Sequence, residues 1–329
     1  MKTNMHAASC LAGMFMTVMS LSTCEGTEVP VFLKQIGSPG LGDGQFQRPT
    51  AISVHGSAIY VADLSANRVQ QFDTSGAFIR KWGSLGSAPG QFSGPRGIAT
   101  DSQGNVYVSD TDASRIQVFS STGTFIRQWG AYGTGDGQLK SPAGIAVDAA
   151  GNVFVAELDN DRVQKFSSTG QFIAKWGTPG TGNGQFQSTF GVALDDVGNV
   201  FVSDHSSPNA CIQAFTNDGV FINRWGSLGS GPGQMSVASG LTINSAGNVI
   251  LADAGNDRVE VFDGNGTYSL EFGLTGTGNG QFNFPYDVDT DANGNIYVVD
   301  GLNSRVQVFG PGSTPAMATS WGKIKADYR

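Results

Sequence analysis

Few residues in this chain could do chemistry, and they are unevenly placed. Of the three histidines, His6, His55 and His205, only His205 stands beside a carboxylate, in the run Asp204-His205-Ser206-Ser207-Pro208-Asn209-Ala210-Cys211. A carboxylate next to an imidazole on a loop can bind a ligand or a metal, because imidazole changes charge near neutral pH and coordinates metals. Asp289-Thr290-Asp291-Ala292-Asn293-Gly294, followed by Asp300, has the oxygen-rich spacing of a calcium loop with Asp in place of the closing Glu. Gly133–Gly137 and Gly180–Gly184 are glycine-rich enough to suggest phosphate cradles. The sequence has no Gly-x-Ser-x-Gly elbow and no dense His/Cys cluster.

The elements that must carry these residues repeat. Phe72, Phe119, Phe166, Phe215, Phe262 and Phe309 are spaced 47, 47, 49, 47 and 47, and Trp82, Trp129, Trp176, Trp225 and Phe272 follow at the same steps. Gly-Gln-Phe opens each unit at Gly44, Gly90, Gly137, Gly184, Gly233 and Gly280, with Leu139 and Met235 as variants. Each unit has four short β-rich runs; in the second they are Gly97–Thr100, Val106–Ser109, Arg115–Phe119 and Thr124–Trp129. Gly-Asn and Gly pairs between the runs suit tight hairpins. Four antiparallel strands per unit of about 47 residues describe a propeller blade. The chain is therefore expected to be all-β, a six-bladed β-propeller of four-stranded antiparallel blades. Composition agrees. Glycine, 47 of 329 residues, is about double the usual share, and 14% charged residues is too few for a helical bundle.

Closure is legible as well. Val31–Gly37 aligns with the outer strand Ala77–Gly83, and so is expected on the outer edge of blade six; Ala316–Gly322 is a second candidate for that place.

The repeat removes several of the chemical readings. The glycine-rich loops have no helix after them and read as connections between blades. Asp291–Asn295 is equivalent to the hairpin turn Asp101–Asn105. Each second strand ends in an acid with Arg five residues later: Asp63/Arg68, Asp110/Arg115, Glu157/Arg162, Asp253/Arg258 and Asp300/Arg305. Catalysis has no use for five copies, so these pairs read as structural clamps built on charge-assisted bonds.

Function is then expected where the copies differ. Unit four has two extra residues and Cys211 in place of the Arg, so Asp204 loses its partner and His205 is the expected substitute. The residue after the Pro position, at the mouth of each inner strand, is Thr50, Arg96, Ala143, Phe190, Ser239 or Tyr286. Arg96, Phe190 and Tyr286 offer charge, stacking and a hydroxyl; Asp287 adds a carboxylate near the axis. With His205 these make a candidate ligand site on one face, Phe190 and Tyr286 as walls and Arg96 and Asp287 as anchors.

The pattern Gly-Gln-Phe, Pro-x-Gly-Ile-Ala-Val-Asp, Gly-Asn-Val-Tyr-Val-Ala-Asp, Asn-x-Arg-Val-Gln-Val-Phe resembles the NHL repeat across about residues 30 to 322. Peptidyl-amidating lyases, which resemble this pattern, carry zinc-binding His at the mouth, and none of the six mouth residues here is His. Asp287 aligns with a calcium-binding acid of those enzymes, so the resemblance implies at most a structural Ca2+ in the channel and no other cofactor. The expected function is a binding or scaffold propeller for a protein, peptide or glycan, not an enzyme; the alternative is a channel-centred lyase or hydrolase of the amidating-lyase or gluconolactonase type, using Asp287, Asp204 and His205. Nucleic acid is not an expected partner: the net charge is −8, and only Arg48, Arg96 and Lys140 lie near the mouth.

The N-terminus reads as an export signal. Lys2 precedes the apolar run Ala7–Leu21, which suits a signal h-region and is short for a membrane span. Leu21-Ser22-Thr23-Cys24 resembles a bacterial lipobox, although Thr23 departs from the usual small residue, so any membrane contact is expected only through a lipid on Cys24. The expected division is residues 1–24 signal, 25–29 linker, 30–322 propeller and 323–329 tail, with an extracellular, periplasmic or surface-anchored location.

Overall fold

The computed structural model describes residues 28–206 and 209–312; the signal, Cys24 and the Ala316–Gly322 strand candidate lie outside them. The described chain folds into six four-stranded antiparallel sheets, the blades of a β-propeller, with no α-helix. Blades one to five run in order from inner to outer strand. The inner strands are Pro49–His55, Pro95–Thr100, Pro142–Val147, Thr189–Leu194, Ala238–Ile243 and Pro285–Thr290.

Blade six is completed by the start of the chain. Val31–Ile36 pairs antiparallel with Arg305–Gly310, so the N-terminal strand is the outermost strand of the last blade. Phe32 meets Phe309 edge-on at 5.9 Å across this seam.

Aromatic rings hold neighbouring blades together. Trp129 of blade two packs on Phe166 of blade three at 5.9 Å, and a Cβ at Gly170 would lie 2.6 Å from the indole. Glycine at the outer hairpin turn is thus required twice, for its φ of +86° and for the ring above it. Trp82, Trp176 and Trp225 lie on Gly123, Gly219 and Gly266 in the same way, while Ile36 takes this place over Gly76. The Phe of each Gly-Gln-Phe, with Leu139 and Met235, is fully buried at the same seams.

The connections between blades are tied from within. Gln138 Oε1 accepts from the Gly135 N–H at 2.9 Å, so the side chain of the repeat's own Gln fills the glycine loop. Gln70, Gln117, Gln164, Gln213 and Gln307, on the third strands, donate through Nε2 to the carbonyl of that Gln at 2.6–2.7 Å. Blade five has Glu260 instead. Its Oε1 accepts from Gly233 N–H at 3.0 Å, and its Oε2 is buried without a partner. Burial pushes this acid up to about 8 against the opposing pull of Arg258, whose Nη2 lies 3.1 Å from its Oε1.

Two outcomes follow from this packing. Trp129→Ala should destabilise the protein by about 3–5 kcal/mol in a denaturant titration, whereas Leu85→Ala, on an exposed side chain, should stay within about 0.5 kcal/mol. Because the folded-state acidity of Glu260 lies above its unfolded value, its contribution to stability is full below about pH 4.5 and fades as pH rises through about 8. Glu260→Gln should remove that decline, making the variant more stable than the parent at pH 9; equal stability at pH 9 would count against that upward shift.

Candidate functional site

Each second-strand acid, fully buried, accepts from its Arg Nε: 3.2 Å for Asp63–Arg68, 2.8 Å for Asp110–Arg115, 2.6 Å for Glu157–Arg162, 3.1 Å for Asp253–Arg258 and 2.7 Å for Asp300–Arg305. The carboxylates also accept from backbone N–H groups just before the next inner strand, as Asp63 does from Gln47 and Arg48. Arg68 in turn donates to the carbonyls of Leu41 and Gln45. The hairpin is thereby pinned to the loop that leads into the mouth.

Blade four closes the same connection differently. Asp204 accepts from Asn209 Nδ2 at 2.5 Å and from the N–H groups of Gln187 and Ser188, and Arg224 donates to Asn209 Oδ1 at 2.5 Å. His205 is therefore not the substitute that the sequence suggested. Asn209 takes the place that Asn160, Asn256 and Asn303 hold in blades three, five and six, where each also donates to the acid, and Arg224 on the outer strand supplies the missing charge at one remove. Cys211, where the Arg would stand, is buried, and burial pushes its thiol up to about 11.

His205 instead stacks on Phe190, with ring centroids 4.7 Å apart and planes 16° from parallel. Its Nδ1 lies 3.4 Å from Ser239 Oγ. Burial holds the imidazole down at about 4, opposed by a backbone hydrogen bond at Ala238 and assisted by the charge of Arg96. It is neutral at pH 7.

A register shift follows the first residue of every inner strand, and the mouth residues sit on it. Such bulges re-aim side chains. Phe190 and Tyr286 turn inward and join one apolar cluster with Ala143 and Leu158. Tyr286 is only 4% exposed, touched by Phe284 at 5.0 Å and covered by the Arg48 guanidinium at 5.2 Å. Arg48 also donates to the Tyr286 hydroxyl. Phe190 and Tyr286, expected as walls of a ligand site, are thus packed side chains of the core that form a floor at the channel end. Arg96 and His205 lie half-buried at that floor's edge.

Below the floor the inner strands enclose a cavity of about 320 Å³. Aliphatic side chains alternate in its wall with polar groups, among them Arg96 and His55, and it holds two carboxylates, Asp287 and Asp289, both from blade six. Asp287 Oδ2 accepts from Ile52 N–H at 3.0 Å on blade one, and its other oxygen occupies the space a Cβ at Gly240 of blade five would need. Asp289 accepts from Val54 N–H at 2.7 Å and from Thr242 Oγ1 at 3.0 Å. Burial pushes Asp287 up to about 8 and Asp289 up to about 6, with backbone hydrogen bonds opposing in both.

Sequence reasoning passed over Asp289. Its repeat positions elsewhere hold Ser53, Ala99, Ala146, Ala193 and Thr242, a contrast that marks it, but it was absorbed into the calcium-like run. Asp291 in that run serves its own turn, accepting from the N–H groups of Asn293 and Asn295, each at 2.9 Å. Among the described residues no group of three His, Cys, Asp or Glu could hold a metal ion.

The model of the NHL repeat matches residues 92–119, 139–166 and 282–309, which span the repeat Phe or Leu through the third strand of blades two, three and six. The chain is a six-bladed β-propeller with NHL repeats in three of its blades. No curated protein matches the sequence. Solved structures match this NHL propeller at the level of fold. A streptogramin B lyase is 13% identical with a TM-score of 0.60, covering 87% of this chain and 99% of its own. A gluconolactonase from Xanthomonas campestris is 16% identical with a TM-score of 0.61, over 87% and 98%. A Bacteroides thetaiotaomicron protein of unknown function is 16% identical with a TM-score of 0.65, over 86% and 76%.

These matches overturn the expectation that the NHL propeller is not an enzyme. That expectation rested on missing motifs, yet a lyase and a lactonase occur on this same frame, so missing motifs do not exclude catalysis.

The floor and its edge respond differently to truncation. Tyr286→Ala should cost about 3–4 kcal/mol of stability, and Arg96→Ala should leave the Tm within about 2 °C of the parent, both read by thermal unfolding.

Proposed function

We propose that this propeller binds, in its central channel, a small polar molecule or the end of a peptide or glycan chain. The observation that carries the reading is the pair Asp287 and Asp289. Both carboxylates face the same cavity from one strand, at repeat positions where the other five blades place small residues. Their wall hydrogen bonds fix them in place while leaving lone pairs toward the cavity. Side chains such as Ile98, Ile145 and Leu241 in the same wall supply the apolar contact that small-ligand sites combine with convergent polar groups.

A second reading is favoured by the difference in their acidity. With Asp287 held at about 8 and Asp289 at about 6, one carboxyl is a proton donor at pH 7 and the other mainly an acceptor. That pairing suits acid–base chemistry of a lyase or hydrolase, in which one carboxylate takes a proton from the substrate and the other protonates the leaving group. The catalytic names of the fold matches support this reading without deciding the substrate.

Binding and turnover are tested together by screening the protein against short peptides, oligosaccharides and lactones, by calorimetry and by product assay. Asp287→Asn and Asp289→Asn should each weaken binding of any hit at least tenfold. If the hit is turned over, the rate should fall by about 10²–10⁴. Hits whose binding survives both substitutions would move the site out of the channel.

A further inference from the structure

In a repeat protein the other copies serve as an internal control, and the sharpest departures from them gather at the floor's edge. Arg48 stands where the other blades have Gly94, Ser141, Ser188, Val237 and Phe284. Arg96 stands where they have Thr50, Ala143, Phe190, Ser239 and Tyr286. Two cations therefore converge on one end of the channel from adjacent blades.

Neither has an ion pair among the described residues. Arg48 makes one side-chain hydrogen bond, to the Tyr286 hydroxyl, and Arg96 makes none. The Nε atoms of both are buried without a partner. The two charges act on each other: Arg96 is held below its ordinary range by burial first and by Arg48 second. Tyr286, Asp112 and Asp159 pull the other way, but the two aspartates are exposed and beyond ion-pair distance. His205, neutral at this edge, neither competes with nor neutralises the pair.

The floor beneath them is held in an uncommon backbone conformation. Phe284, which packs on Tyr286, has φ +55°, rare for a bulky side chain, and its N–H donates to Asp257 at 2.7 Å. Half-buried guanidinium groups with unmet donors beside each other are costly unless an anion lies between them. Guanidinium forks match carboxylate and phosphate oxygens in geometry as well as in charge.

We propose that the mouth of the channel is an oxyanion receptor, in which Arg48 and Arg96 grip a carboxylate or phosphate group above the aromatic floor of Phe190 and Tyr286. Arg96 and Phe190 also line the cavity that holds Asp287 and Asp289, so this receptor adjoins the channel acids, and its anion is held by the arginines alone.

The test is a titration of the purified protein with sodium phosphate and with sodium benzoate, at constant ionic strength set with chloride, read by thermal shift and calorimetry. A saturable rise in Tm is expected with at least one of the two. Phosphate alone identifies a phosphorylated ligand; benzoate alone identifies an aromatic or chain-terminal carboxylate. Arg96→Met should weaken that binding at least tenfold while leaving the protein folded, and Arg96→Lys should recover part of it. Leu85→Ala, on an exposed side chain away from the channel, should leave it unchanged. No saturable response to either anion, the same response to chloride, or undiminished binding by Arg96→Met would each overturn the proposal.

Discussion

The buried carboxylate at the end of each second strand is the constraint on which the rest of the molecule depends. It is taken fully out of water, which for an ionised group is affordable only with several strong partners. An Arg Nε and the N–H groups of the chain entering the next inner strand supply them. One residue thus fixes a hairpin, the connection between blades and the start of the strand that lines the channel. Every mouth side chain takes its position from that bond. Blade four shows the strength of the requirement: without its Arg it keeps the Asn bond that blades three, five and six also have, and brings in Arg224 behind Asn209 to supply the charge.

Much of this was legible in the sequence because the chain repeats itself. Spacing placed the strands, and an in-register match placed Val31–Ile36 on the last blade. What stayed hidden depends on geometry between blades. Tyr286 and Phe190 read as exposed mouth residues, yet six inner strands meeting at one axis leave so little room that large rings there cover each other. The bond of Asn209 to Asp204 was missed because attention went to the Arg, although Asn160, Asn256 and Asn303 stand at the equivalent place and make the same bond. Asp289 was hidden by a resemblance to a different motif, and only the closed ring shows that it reaches Thr242 on one neighbour and Val54 on the other.

The channel combines opposite charges. Arg48 lies over an aromatic ring at the mouth, and Arg96 shares a cavity with two acids. Both departures are concentrated on blades six, one and two, next to the seam where the ring closes. The clamps are the same in five blades and so carry the fold; the unequal residues are free to carry specificity. That division explains why one architecture can host unrelated activities.

The closing strand has a consequence for how the protein comes into being. Residues 31–36 emerge early from the ribosome, but their partners at 305–310 are among the last of the described chain to be made. Five blades can assemble in order from neighbours in sequence, while the first strand must wait with an unpaired edge until synthesis is almost complete. Pairings of such long sequence separation are slow to form, and an idle edge strand invites pairing with other chains. Lys34 on that strand, half-buried in the finished ring where it donates to the Thr74 carbonyl, is before closure a charge of the kind that discourages such pairing.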